Sequence, residues 1–164
     1  YSVEADDGSW WLMAADGRII DRTNGASAAE YTKIIGLKLD KPAVVEQARA
    51  VEPVPTETAA DGSLIPVTVL GSERLNVALS IMQNLEAQGI LGEAASIDVS
   101  DLTQLQLWYG SQFRVKLGDT GRLQYKIDYM KRSIDQMGIY HEPGVLDVSF
   151  SVVANQAVFT KFSQ

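Results

Sequence analysis

The sequence predicts an α+β fold: a mixed, mostly antiparallel curved sheet with two amphipathic helices packed on one face. Apolar and polar side chains alternate at period two over residues 105–117, on either side of Gly110-Ser111, which is typical of an antiparallel hairpin. Residues 123–137 and residues 72–89 each carry an apolar stripe at spacings of three and four, which predicts two helices. Because strands follow each helix, the sheet is expected to be mixed rather than strictly parallel.

Length and composition fit one packed domain. The chain has 164 residues, of which 46% are hydrophobic. Its 21 acidic and 14 basic residues give a formal charge of −7, which argues against a nucleic-acid surface. Cysteine is absent, so disulfides, thiol nucleophiles and thiolate metal sites are excluded. The chain begins with Tyr1 and has no apolar run near 18 residues, and we expect it to be a piece of a longer protein.

The N-terminal part is predicted to be a hairpin followed by a kinked strand. Residues 10–13 and 18–21 form the two strands, and the turn at residues 15–17 supplies glycine where positive φ is needed. A further strand is expected over residues 31–39, with a kink or bulge at Gly36.

Residues 42–71 carry the weakest pattern. Proline and acidic residues are scattered through them, and we interpret the range as a possible loop insertion, with a short helix over 43–51 and an acidic loop over 51–63. The next helix is expected to be capped by Ser72 and stopped by Gly89.

The C-terminal part is predicted to be a helix between strands. Asp119 or Thr120 can cap this helix, and Gly138 can end it because glycine accepts positive φ. Residues 145–150 return as a strand, and residues 158–162 can pair back on it. A late C-terminal strand is expected to be a sheet edge, with N–H and C=O groups that another chain can pair.

No pattern of catalytic, cofactor-binding or metal-ligating residues emerges. The only histidine, His141, lies in a predicted loop without a nucleophile-elbow motif. Asp98, Asp101, Asp119 and Asp147 lie near strand or helix ends, where aspartate commonly forms turns and caps. The sequence therefore predicts a protein that is not an enzyme and binds no cofactor or metal.

The order of motifs resembles the bacterial cell-division proteins of the DivIB/FtsQ family. The strings that carry the resemblance are Trp10-Trp11-Leu12-Met13 with Asp16-Gly17-Arg18-Ile19-Ile20, Phe113-Arg114-Val115-Lys116-Leu117-Gly118-Asp119, Leu123-Gln124-Tyr125-Lys126-Ile127 with Met130 and Ile134, and Leu146-Asp147-Val148-Ser149-Phe150. The resemblance implies that residues 1–164 are one extracytoplasmic β domain. A cytoplasmic tail, a single membrane helix and a POTRA-type domain would precede it in the full protein.

The same resemblance implies a function and partners. Such a domain is a non-catalytic scaffold at the division septum that binds FtsL-like and FtsB/DivIC-like membrane-anchored coiled-coil proteins and helps control septal peptidoglycan synthesis. By the family's pattern, strand addition at the C-terminal edge would involve Val148, Phe150, Val158 and Phe159. The full protein would sit in the cell membrane, with this domain on the outer side.

Two alternatives stay open at this point. One is a secreted hydrolase, which would need His141 or a pair of carboxylates. The other is a carbohydrate-binding module with Trp10, Trp11, Trp108 and Tyr109 as stacking platforms.

Overall fold

The computed structural model describes residues 1–52, 56–58, 60–62, 64–66, 70–137 and 142–162. The strands and helices that it contains are, in chain order, β1 (Ser2–Ala5), β2 (Trp10–Met13), β3 (Ile19–Thr23), α1 (Gly25–Ala28), β4 (Lys33–Leu39), β5 (Thr56–Thr58), β6 (Leu64–Pro66), α2 (Gly71–Ala87), β7 (Ala94–Asp98), β8 (Leu105–Tyr109), β9 (Phe113–Gly118), α3 (Leu123–Met137), β10 (Gly144–Asp147), α4 (Ser151–Ala154) and β11 (Val158–Lys161). A 3₁₀ turn at Leu91–Glu93 joins α2 to β7.

The predicted α+β fold is confirmed. Nine strands form one sheet in the order β11-β10-β9-β8-β7-β4-β1-β2-β3, and β5 and β6 form a separate pair. Of the eight neighbouring pairs in the large sheet, five are antiparallel and three are parallel, so the sheet is mixed and mostly antiparallel. The parallel pairs are β1/β4, β4/β7 and β9/β10.

The N-terminal hairpin is confirmed, and a strand that the sequence did not predict precedes it. β2 pairs with β3 through the turn at Gly17, whose φ is +85°. On its other side β2 pairs with β1, whose four residues are too few to show a period.

The predicted bulge at Gly36 is present in β4. The register against β1 jumps from Ser2↔Lys33 to Glu4↔Lys38, and Gly36 has φ +83°. A Cβ at Gly36 would lie 2.4 Å from the backbone of Ser100. Only glycine therefore meets both the conformation and the close approach.

The cap expected at Ser72 is wrong, because α2 begins at Gly71 and its N-cap is Leu70. The first N–H groups of the helix are satisfied by a residue that is distant in sequence. The Glu52 carboxylate accepts hydrogen bonds from the N–H groups of Gly71 and Ser72, both at 2.8 Å. A carboxylate at a helix N-terminus is favoured by the unpaired N–H groups and the helix dipole. Gly89 follows the end of α2 with φ +69°, as expected of a stop signal.

The range 42–71 differs from its sequence interpretation in two respects. No helix forms over residues 43–51, which instead bridge back to the N-terminal part at Arg18↔Gln47 and Leu39↔Ala50. Residues 56–58 of the predicted acidic loop form β5, which pairs with β6 just beyond that loop.

The apolar stripe of α3 is confirmed and faces the core. Leu123, Ile127 and Met130 are buried. On the exposed side, the Asp128 and Arg132 side chains form an ion pair one helical turn apart. Gly138, the predicted end of this helix, lies outside the described residues.

Asp119 pairs with a buried lysine rather than capping the first turn of α3. Lys126 is 2% exposed, and its Nζ lies 2.6 Å from Asp119 Oδ1 and 3.0 Å from the Asp119 carbonyl oxygen. The same Oδ1 accepts the Gly121 N–H, before the helix begins. The Lys126 ammonium, followed by the Gly121 N–H, lowers the pKa of the Asp119 carboxyl.

One hydrophobic core lies between the two long helices and the sheet. It contains buried residues of β1, β4, β7, β8, β9 and β10 together with those of α2 and α3. On the other side of the sheet, which we call the outer face, side chains of β8 and β9 such as Trp108, Arg114 and Lys116 are half-buried or exposed. Within the described ranges, no helix is both long and apolar enough to cross a membrane.

Candidate functional site

The C-terminal strand forms one border of the large sheet. β11 pairs with β10 in the register Gly144↔Lys161, Val145↔Thr160, Leu146↔Phe159 and Asp147↔Val158. In the described part of the chain, no strand pairs with the other side of β11. We therefore treat this border, which we call the C-terminal edge, as the candidate functional site.

The hydrogen-bond pattern shows which backbone groups point outward at the C-terminal edge. In antiparallel pairs, residues that exchange N–H···O=C bonds alternate with residues that do not. The Phe162 N–H donates to the Pro143 carbonyl at 3.1 Å, and the Gly144 N–H donates to Gln112 on the β9 side at 3.0 Å. Because Phe162 bonds to Pro143, every second pair after it, 145 with 160 and 147 with 158, exchanges backbone hydrogen bonds. Lys161 lies between these bonded positions, so its N–H and C=O point away from β10.

The four residues predicted to bind a partner do not share one surface. Val158 is 56% exposed on the edge strand, and Phe150 is 65% exposed next to α4. Phe159 is half-buried and contacts the ring of Phe113 edge-on, with centroids 6.2 Å apart. Val148 is 0% exposed, so its side chain belongs to the core and is not accessible to a partner. The roles of Phe150, Val158 and Phe159 stay predictions.

The strand expected over residues 145–150 is shorter in the structure and ends at Asp147. The Asp147 carboxylate accepts hydrogen bonds from the N–H and the hydroxyl of Ser149, at 2.9 and 2.5 Å. This aspartate turn directs Phe150 into the start of α4 rather than along the sheet. The Asp-x-Ser spacing was visible in the sequence and could have shown where the strand ends.

Side chains of α3 fix the connection that leads into β11. Asn155 ends α4 in the left-handed conformation, with φ +50°. Its side-chain oxygen accepts the Tyr125 hydroxyl at 3.2 Å, and its carbonyl accepts the Tyr129 hydroxyl at 2.8 Å. The start of the edge strand is thus tied to the helix layer.

The carboxylates at the end of β7 and just before β8 accept local hydrogen bonds. Asp98 accepts the Ser100 hydroxyl at 2.5 Å, and Asp101 accepts the Thr103 hydroxyl at 2.7 Å. The Thr103 hydroxyl, with the Thr103 N–H, lowers the pKa of Asp101. Within the described residues, no three histidine or carboxylate side chains come together as a metal site. His141 lies outside the described residues.

A cleft of about 730 Å³ opens between the ends of α2 and α3 and the β8–β9 turn. It contains Tyr109 and Glu93, with the Lys131–Asp135 ion pair of 2.9 Å on its helical side. Burial, together with the neighbouring Glu93, raises the pKa of the Tyr109 phenol. A neutral phenol beside a carboxylate can donate a hydrogen bond but is not a base at neutral pH.

The aromatic residues that could stack on a glycan do not form a platform. Tyr109 is buried, and the Trp11 indole N–H donates to the Ser9 hydroxyl at 2.8 Å. Lys33 lies over the Trp10 ring, with Nζ 4.9 Å from its centroid. Trp108 is 37% exposed, and its ring stacks on Phe162. This arrangement disfavours the carbohydrate-binding alternative, because three strands separate Trp108 on β8 from Trp10 and Trp11 on β2.

Protein-family models, curated proteins and solved structures were each compared with the chain, and none matches it. The described geometry defines the class of the molecule as a mixed α+β domain in which β11 forms one border of the large sheet.

Proposed function

We propose that this chain is the extracytoplasmic β domain of a bacterial division protein of the DivIB/FtsQ type. In this proposal it is a non-catalytic scaffold at the division septum that helps control septal peptidoglycan synthesis. The full protein is held in the cell membrane by a single N-terminal helix that precedes the β domain. Its partners are FtsL-like and FtsB/DivIC-like membrane-anchored coiled-coil proteins.

The observation that carries the proposal is the C-terminal edge. An extended segment of a partner can add beside β11 and pair with outward backbone groups such as those of Lys161. Main-chain hydrogen bonds would supply affinity, and neighbouring side chains such as the exposed Val158 would supply specificity. The motif order that resembles the family supports the proposal independently, because it comes from the sequence alone.

A proline at Lys161 tests strand addition directly. Lys161→Pro removes an outward N–H and places a ring where the added strand would lie, while leaving the bonds to β10 in place. We expect partner binding to weaken about tenfold or more, since a lost hydrogen bond and a steric clash together cost over about 1.4 kcal/mol. Binding is measured by titrating soluble coiled-coil segments of the partners into the 164-residue chain.

Lys161→Ala is the matched control. It keeps the N–H and loses only an exposed ion pair with Glu142, whose N···O distance is 2.5 Å. Such a pair contributes about 0–1 kcal/mol, so affinity and thermal stability should stay close to those of the original chain. Equal binding by the proline and alanine variants would reject strand addition at β11. A failure of the unaltered chain to bind any coiled-coil partner would reject the proposed function itself.

A further inference from the structure

An aromatic contact crosses the outer face and reaches the C-terminal edge. Phe162, directly after β11, stacks on Trp108 of β8 with ring centroids 6.0 Å apart and planes inclined by 29°. In the sheet order, β9 and β10 lie between β8 and β11. The contact therefore joins the end of the border strand to the middle of the sheet without passing through the neighbouring strand.

The remaining attachments of β11 are few. Among the described strands, its four residues pair with β10 alone, and Val158, Thr160 and Lys161 are exposed. Phe159 packs on the helix side against Phe113, which fixes the middle of the strand. On the outer face, the stacking of the Phe162 ring on Trp108 holds the end of β11. Short border strands with few apolar contacts open locally at low free energy.

The two rings are placed so that they can hold β11 without being part of the core. Trp108 is 37% exposed and Phe162 is 40% exposed, and neither belongs to the buried cluster between the helices and the sheet. Loss of the contact should therefore loosen β11 while leaving the rest of the fold intact.

We propose that Trp108 and Phe162 form an aromatic clasp that keeps β11 extended and ready to accept a partner strand. This inference rests on the proposed function and adds two positioning residues to it. A partner that adds as a strand binds only the fraction of molecules in which β11 is already in the sheet. Its apparent dissociation constant rises as that fraction falls.

Hydrogen exchange at the Thr160 and Phe162 amides tests the clasp, because both amides point toward β10. We expect Phe162→Ala and Trp108→Ala each to speed exchange at these amides about 3- to 10-fold. This factor corresponds to the free energy that an aromatic pair typically contributes. The double variant should exchange no faster than the faster single variant, since both substitutions remove the same contact. Phe162→Tyr retains the ring and should exchange like the unaltered chain.

Ile35→Ala is the control on the same face. Ile35 lies on β4 and is 42% exposed, so its truncation removes comparable exposed apolar surface away from β11. It should leave exchange at Thr160 and Phe162 unchanged. Unchanged exchange in Phe162→Ala, or fully additive effects in the double variant, would overturn the clasp.

Partner binding separates the clasp from the proposed function. Weaker binding of the coiled-coil segments by both alanine variants, recovered in Phe162→Tyr, supports the positioning role. Faster exchange with unchanged affinity overturns that role. If the unaltered chain binds no such segment, the proposed function and the positioning role both fail, and exchange alone decides whether the clasp exists.

Discussion

The two borders of the large sheet are built differently, and the difference shows how this fold closes one side and leaves the other open. At β3, the segment over residues 45–47 covers the start of the strand: the Ile19 N–H donates to Glu46, and the Val45 N–H donates to Ile19. Farther along β3, the Asp21 carboxylate accepts the Arg22 N–H. β3 also has an irregular register against β2.

At β11, within the described residues, neither a covering segment nor a register irregularity is present. β11 has the sequence Val-Phe-Thr-Lys, keeps an even register with β10 and has a single charged residue, Lys161. Natural sheets block border strands with bulges, charges and covering loops. β3 combines all three devices, whereas β11 carries only the charge of Lys161, so β11 is the border that the proposed strand addition would use.

The largest expected effect comes from displacing β11 alone. A Cβ at Gly144 would lie 2.4 Å from the Thr160 carbonyl oxygen and 2.6 Å from the Phe159 ring. Gly144→Ala should therefore push β11 away from β10 and lower the free energy of unfolding by about 1–3 kcal/mol, as measured by urea denaturation. Exchange at the Ile19 amide on the opposite border should not change.

Gly92→Ala is the matched control for that substitution. Apart from its neighbours along the chain, no described residue has a heavy atom within 4 Å of a Cβ built at Gly92. The free energy of unfolding of Gly92→Ala should therefore differ from that of the unaltered chain by less than about 0.5 kcal/mol. If the two alanine variants are equally stable, β11 is not held as closely against β10 as the distances indicate.

A smaller effect should follow from removing the charges that protect β3. Asp21→Thr with Arg22→Thr replaces two charged residues of that strand with β-branched ones. We expect concentration-dependent self-association through β3, measured by sedimentation velocity. The control, Lys131→Thr with Asp135→Thr, removes an equivalent pair from α3 and should stay at the original association state. If both double variants behave alike, the covering segment alone closes β3.

The smallest expected effect concerns Glu52, which follows the covering segment in the chain and accepts the first N–H groups of α2. The Ser72 hydroxyl, with the N–H groups of Ser72 and Gly71, lowers the pKa of Glu52. A carboxylate whose pKa is lowered by folding stabilises the folded state. Its contribution is fully present above the ordinary glutamate pKa of about 4.3 and is lost as pH falls through the lowered pKa. Glu52→Gln should slightly lower Tm at pH 7 and speed exchange at the Ile19 amide.

The difference in Tm between Glu52→Gln and the unaltered chain should narrow as pH falls below the ordinary glutamate pKa of about 4.3 and through the lowered pKa of Glu52. A difference independent of pH would show that the charge of Glu52 does not stabilise α2.

Periodicity predicted the elements whose side chains alternate clearly. Leu105, Leu107 and Tyr109 are buried on β8, and the stripe of α3 faces the core as expected. β1 was not predicted, because its four residues are too few to show a clear alternation of apolar and polar side chains. The expected helix over residues 43–51 does not form, because backbone bonds to residues distant in sequence hold 45–48 beside the start of β3 and 49–51 beside the end of β4.

The candidate site was predicted only in part. The border position of β11 follows from its late place in the chain and its pairing with β10, both of which the sequence indicated. The Asp147–Ser149 turn buries Val148 and separates it from Phe150, which strand alternation alone did not reveal. The contact between Trp108 and Phe162 joins residues 54 positions apart (162 − 108 = 54), and no local pattern encodes such a contact.

The buried ammonium of Lys126 has a practical consequence. Because only 2% of this residue is exposed, amine-reactive acylating reagents and trypsin can reach it only when α3 opens. The extent of Lys126 acetylation after a brief reaction, measured by peptide mass spectrometry, would therefore report how often α3 opens. The half-exposed Lys38 side chain reacts throughout and serves as the reference.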